Sequence, residues 1–285
     1  MIDRLRQGGW RRLLPFALLT LLAVAVVLPG LTPLQVGSST GRAASDFAAA
    51  VGRVQQGDAV LVDVEADLGT YPEIRYATRA ALADLLRHGA SLAFVSFSAE
   101  GRAIGLAELQ RLRDAGIGAH RLLDLGYVAG AEAGVVLSVT TLIPDDATGS
   151  FVETLRSRGG GIDGFDLALV VAGSDMGPRT WIEQVETRLP QLPVVAIAPT
   201  FLRPELEPYL RSGQLTGLLG TVRDGVAYGQ LVDEANSPGQ PTSSDRPPSA
   251  LAMLLGMLAA LAVIVQATGR TLVAYARRAW ERTSP

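Results

Sequence analysis

Cysteine and lysine are both missing from this 285-residue chain, and histidine occurs only twice. The first absence excludes disulfides, thiolate nucleophiles and Cys-ligated zinc or iron–sulfur sites. The second excludes Schiff-base chemistry, the P-loop lysine and Ser-Lys mechanisms, because all 25 basic residues are arginine. A net charge of -3 gives no reason to expect a nucleic-acid partner. An extracytoplasmic location stays open, since a domain of this size folds without disulfides. A G-x-S-x-G nucleophile elbow is also missing. "GRAIG" and "RGGGIDG" lack the spacing and the strand-to-helix setting of a dinucleotide fingerprint.

What the chain does have is two long apolar runs near its ends. Residues 13–31 carry no charge and are long enough to cross a bilayer core of ~30 Å. Arg4, Arg6, Arg11 and Arg12 precede them, and only Arg42 follows closely. Positive residues stay on the cytoplasmic side, so residues 1–12 read as a cytoplasmic tail. A cleaved signal peptide is the competing reading. Its small-x-small site, Gly41-Arg42-Ala43, lies far beyond the apolar run, so an uncleaved anchor is expected. The second run, 250–268, is followed by Arg270, Arg277, Arg278 and Arg282, with Tyr275 and Trp280 as interfacial anchors. A Pro/Ser-rich linker, 236–249, precedes it, and residues 269–285 read as a basic cytoplasmic tail. The stretch 45–235 is then expected to be an extracytoplasmic domain of the cell envelope, tied to the lipid bilayer by two transmembrane helices.

Within that stretch short runs rich in Val, Ile, Leu and Ala alternate with helical patterns. Strands are expected at 59–64, 91–97, 121–125, 168–172, 194–198 and 215–219. Helices are expected at 71–87, 104–115, 131–142, 178–189, 204–211 and 222–232. The polar, Gly-rich segment 144–164 reads as a surface loop. Strands apolar throughout, alternating with helices, imply a mostly parallel sheet covered on both faces. The expected fold is α/β, a three-layer doubly wound, Rossmann-like sheet of about six strands flanked by two transmembrane helices.

Sites in such sheets form at the carboxyl ends of the strands. That selects Asp63, Glu65 and Asp67 after the first strand, Ser96, Ser98 and Glu100 after the second, and Asp124 and Tyr127 after the third. Ser174, Asp175, Thr200 and Thr221 follow later strands. Converging carboxylates suit Mg²⁺ or Ca²⁺, which take oxygen ligands, so Asp63, Glu65 and Asp67 are the metal candidates. The competing reading, and the expected one, is a solvated crossover turn with no cofactor. In "LDLGYVAGAEAG", Gly126 and Gly130 flank Tyr127, with Glu132 beyond. Their small size lets backbone N–H groups approach a ligand or another chain. Gly126, Tyr127, Gly130, Glu132, Ser174 and Asp175 are the ligand- or partner-binding candidates.

"DLGYVAGAEAG", "FDLALVVAGSDMGPRTWIEQV" and "YLRSGQLTGLLGTVRDGVAYGQLV" resemble a set of bacterial and archaeal membrane-anchored proteins of unknown function. These share an N-terminal helix, an α/β domain and a C-terminal membrane helix. The resemblance spans roughly 59–232 and implies the layout, but no activity and no catalytic residue. "DVEADLGT" is distantly similar to a haloacid-dehalogenase phosphatase motif, but Glu65 stands at the second Asp and no Lys exists. Two functions stay open. One is a non-enzymatic envelope module that binds a ligand or a partner protein, with no nucleic acid. The other is a metal-assisted hydrolase or transferase acting on an envelope substrate through the strand-end carboxylates.

Overall fold

Runs of β-branched and small apolar residues, too short for buried helices, become the strands. The computed structural model describes residues 41–173 and 177–234. Its strands are β1 (Ala59–Glu65), β2 (Ser91–Ser96), β3 (Leu122–Tyr127), β4 (Leu167–Ala172), β5 (Val194–Ile197) and β6 (Gly217–Leu219). They form one sheet in the order β3-β2-β1-β4-β5-β6, and every neighbouring pair is parallel. This is the strand order of the Rossmann doubly wound fold. The chain winds outward from β1 to β3, returns to the centre at β4, and winds outward the other way.

The helices are α1 (Arg42–Val51), α2 (Tyr71–Arg87), α3 (Ala99–Asp114), α4 (Glu132–Ser138), α5 (Ser150–Ser157), α6 (Pro178–Thr180), α7 (Arg203–Ser212) and α8 (Val222–Glu234). A π-helical turn, Trp181–Glu186, continues α6. Reversal of the winding direction puts helices on both faces. Helices α1, α2, α3 and α8 share a core with Val60, Val62 and Val64 of β1. Helices α4, α5 and α7 and the π-helical turn share the other core with Ala59 and Leu61. Alternate residues of β1 therefore serve opposite cores, as a period of two requires. All seven residues of β1 are buried, which places it at the centre of the molecule.

The fold matches the expected three-layer α/β architecture, with local differences: α3 begins at Ala99 rather than 104, and the helix expected at 178–189 is α6 with a π-helical turn ending at Glu186. Helix α1 was not expected, and it begins before residue 45, so the folded unit starts at about Arg42. Its Ala44, Phe47, Ala50 and Val51 line one buried stripe. The segment 144–164 is not a plain loop, because α5 lies inside it and buries Phe151, Val152 and Leu155. Each such burial contributes about 1.5–3 kcal/mol. That holds in place an 8-residue helix that would be marginal alone. Helix α4 stops at Ser138 rather than 142. No helix among the described residues is long and apolar enough to cross a membrane. The apolar runs 13–31 and 250–268 lie outside the described residues.

Candidate functional site

The carboxyl edge of the sheet collects most of the polar side chains singled out from the sequence. Asp63 and Glu65, expected in a solvated turn, are instead inside the molecule, with 1% and 3% of their surface exposed. The cause is register. Asp63 stands opposite Val95 of β2 and Val170 of β4, and Glu65 opposite Ala172, so β1 is still between two strands where its carboxylates begin. Two residues apart on an extended strand, their side chains leave on the same face. The Trp181 indole N–H donates to Asp63 Oδ2 at 2.5 Å. The Phe97 backbone N–H donates to Glu65 Oε1 at 2.5 Å, and Ser96 Oγ lies 3.1 Å from the same oxygen. Asp63 Oδ1 and Glu65 Oε2 are buried without a partner. Burial first, and the neighbouring Glu65 charge second, raise the Asp63 carboxyl well above the usual carboxylate range.

Asp67 does something different. Its Oδ1 accepts the backbone N–H groups of Gly69 and Thr70 at 2.8 and 2.7 Å, and its Oδ2 accepts the Thr70 hydroxyl at 2.8 Å. Hydrogen bonds from Thr70 first hold this carboxyl below its usual range. In a dinucleotide-binding sheet the N-terminus of the helix after β1 receives the pyrophosphate. Here the chain's own carboxylate sits in the turn before that helix, and Pro72 stands in the first helical turn. A Cβ on Gly173 would come within 2.6 Å of Asp67 N, so the β4 connection closes tightly over the same turn. With Asp67 spent in this way, Asp63, Glu65 and Asp67 do not form a three-ligand cation site. Among the described residues no three His, Cys, Asp or Glu side chains come together to hold a metal ion.

The other candidates scatter along the edge. Gly126 and Gly130 both take positive φ, 81° and 110°, which glycine adopts without strain. Ala131, at φ 49°, is the one non-glycine residue of this kind among the described residues. Tyr127 and Glu132 are exposed beside them, at the outer edge of the sheet. β3 is the terminal strand, so this loop is separated from Asp63 and Glu65 by β2. Ser174 and Asp175 lie outside the described residues.

The remaining polar groups tie one connection to the next. Glu100 Oε2 accepts Leu68 N–H at 2.9 Å, joining α3 to the β1 connection. Glu73 Oε1 accepts Thr200 N–H and Oγ1–H at 2.8 and 2.7 Å, joining α2 to the β5 connection. Arg102 grips Asp124 in a bidentate pair at 2.5 and 2.9 Å. Ser98 caps α3 through Gly101 N–H, and Thr221 caps α8 through Asp224 N–H. Among these partners Trp181, Glu73 and Arg102 were missed from the sequence. "GPRTWIEQV" did hold a signal for Trp181, because a buried indole needs an acceptor for its N–H. Nothing local in the sequence marks the Glu73–Thr200 contact, whose partners are 127 residues apart.

Beside these polar side chains the edge also exposes apolar ones. Leu68 and Phe201 are exposed on the connections after β1 and β5, Tyr127 at the end of β3, and Val222 at the start of α8, just after β6. Leu137 is exposed on α4 and Leu106 on α3.

No family model matches the chain, and no curated protein matches it. Among solved structures, a short-chain dehydrogenase/reductase described as a glucose/ribitol dehydrogenase from Brucella melitensis is similar at 14% identity. The match covers 72% of this chain and 89% of that chain at a TM-score of 0.26. At that score the likeness carries no argument, and the Rossmann-like assignment rests on the strand order itself.

Proposed function

We propose that the chain is a membrane-anchored, extracytoplasmic Rossmann-like module that docks an envelope protein partner on the carboxyl edge of its sheet. The observation that carries this reading is the row of exposed Leu68, Tyr127, Phe201 and Val222 along that edge. β3 and β6 are the two outermost strands, five strand spacings apart. At about 4.8 Å per spacing the row spans roughly 24 Å, which suits a protein surface better than a small molecule. Exposed aromatic and aliphatic side chains beside carboxylates such as Asp67, Glu73 and Asp124 that are held by the chain itself fit the make-up of an interface core. The arginine asymmetry around 13–31 and 250–268, and the resemblance to membrane-anchored α/β proteins, support the envelope location, with both termini cytoplasmic.

The location is tested by a reporter active only outside the cytoplasm. Fused after Asn236 it is expected to be active, and fused after Ser284 silent; the reverse pattern overturns the topology. The surface is tested by a photo-crosslinking residue placed at Phe201 or Leu68 in the native membrane. Each is expected to give one shared, discrete adduct. The same residue at Gln55, exposed at the opposite edge of the sheet, is expected to give none. An adduct from Gln55 alone, or from no position, would refute docking on the carboxyl edge.

A further inference from the structure

We infer that Asp63 and Glu65 share one proton at neutral pH, held between Asp63 Oδ1 and Glu65 Oε2, and that this proton is a pH-sensitive latch on the carboxyl edge. Each carboxyl has one oxygen engaged and one oxygen buried without a partner. Buried polar atoms in native proteins are nearly always satisfied. A single hydrogen from Asp63 to Glu65 satisfies both orphan oxygens at once. It also removes the repulsion of two charges in one buried place. The Asp63 carboxyl is the one raised well above its usual range, by burial first and by the neighbouring Glu65 charge second. Asp63 is therefore the protonated member.

A cation would be the other way to satisfy two carboxylates, but the surroundings do not supply its remaining ligands. Val64 O lies 2.8 Å from Ser96 Oγ, as does Ser98 O. Around Asp63, β2 presents Val95, Ser96 and the Phe97 N–H, β4 presents Val170 and Ala172, and the π-helical turn presents Trp181. Among the described residues Glu65 is the one charged group that acts on Asp63. Of the arginines of α2 and α3, Arg79 and Arg111 bind Glu108, Arg87 binds Asp84 and Arg102 binds Asp124, while Arg75 and Arg113 are exposed and neither acts on Asp63. Glu100 of α3 is bonded to Leu68 N–H.

The pair ties together β1, the end of β2 at Phe97, and the turn that follows β4 at Trp181. Losing the proton leaves two buried, mutually repelling charges with no cation, and the Trp181 N–H then faces a charged oxygen, so the indole reports the change. The sign follows from the raised Asp63 value. The stabilisation is complete below the unfolded carboxyl value of about 3.9, and it is lost as pH rises through the folded value. This latch is independent of the docking proposal, because its readouts need no partner.

Three measurements on the full chain decide the matter. The infrared spectrum at neutral pH is expected to contain a protonated-carboxyl stretch that Asp63→Asn removes; absence of that band in the parent protein overturns the inference. In a chain carrying Trp10→Phe and Trp280→Phe, Trp181 is the sole tryptophan. Its fluorescence is expected to shift as the band titrates, together with a fall in Tm of about 2–4 °C or more. A fluorescence signal flat across the band's titration refutes the latch. Glu65→Gln, which serves if Asp63→Asn fails to fold, is expected to move the titration to lower pH by removing the repelling charge. An unmoved titration, or a rise in Tm with millimolar Mg²⁺ or Ca²⁺ that Glu65→Gln abolishes, overturns the shared proton.

Discussion

Gly101 and Gly105 lie one helical turn apart on α3, both facing β1, and they make opposite demands. A Cβ on Gly101 would lie 1.9 Å from Val64 O and 2.7 Å from both Ser96 Oγ and Ser98 Oγ. The nearest of these is a backbone carbonyl of the central strand, which has nowhere to move. At Gly105 the nearest atom is Val64 Cγ2 at 3.5 Å, an ordinary contact. Alanine in a helix interior is favoured over glycine by about 0.5–1 kcal/mol. Gly105→Ala is therefore expected to raise stability by about that amount. Gly101→Ala gains the same propensity but forces α3 away from the sheet, and overpacking of this kind costs about 1–3 kcal/mol. Its net effect is expected to be destabilising. Urea unfolding of the two variants checks this, and equal effects would mean that the close approach of α3 to Val64 is not real.

At the scale of elements, α2 and α3 are joined by a carboxylate rather than by apolar contact alone. Glu108 of α3 is buried, and it accepts hydrogen bonds from Arg79 of α2 at 3.0 and 3.2 Å and from Arg111 of its own helix at 2.6 Å. Burial works against its charge, but the two guanidinium groups outweigh it and hold the carboxyl below its usual range. The stabilisation is present above the unfolded value of about 4.3 and is lost as pH falls through the folded one. Glu108→Gln is expected to cost about 1–3 kcal/mol at neutral pH and to flatten the acid limb of the stability profile. An acid limb identical to the parent's would show that other carboxylates control it. The strands were legible because β4 and β5, and β1 as far as Val62, are apolar on both faces, a pattern that a doubly covered sheet explains. Helix α5 was hidden because its three apolar residues sit between glycines and charges, where composition argues for a loop. Helix α1 was hidden because alanine supplies half of its buried stripe, and alanine marks neither core nor surface. At the site, carboxylates after β1 were visible, but their burial was not, since it depends on how far β2 and β4 run alongside. Asp67 was legible as a turn residue, and its local hydrogen bonds agree with that reading.

At the scale of the whole molecule, the two cores make different claims on the chain outside the sheet. The core on the α2 face is closed by segments from both ends of the domain. Phe47 of α1 meets Tyr228 of α8 edge-on, with ring centroids 4.9 Å apart. Gly217 of β6 admits the Phe47 backbone, since a Cβ there would stand 3.0 Å from Phe47 Cα. The Tyr228 hydroxyl in turn donates to buried Asp84 of α2. Helix α1 is thus a structural part of the sheet's cover and not a spacer leading to residues 13–31. A fragment of residues 41–234 is accordingly expected to be soluble and to unfold in one cooperative step. The same fragment started at residue 53 uncovers Tyr228 and the face of β6, and it is expected to aggregate or to unfold at much lower urea. Phe47→Ala in the longer fragment isolates the central contact and is expected to cost about 3–5 kcal/mol. Circular dichroism and sedimentation of the three proteins decide the point. If the fragment from residue 53 matches the longer one in stability and remains monomeric, α1 contributes nothing to the fold, and its place against β6 and α8 is wrong.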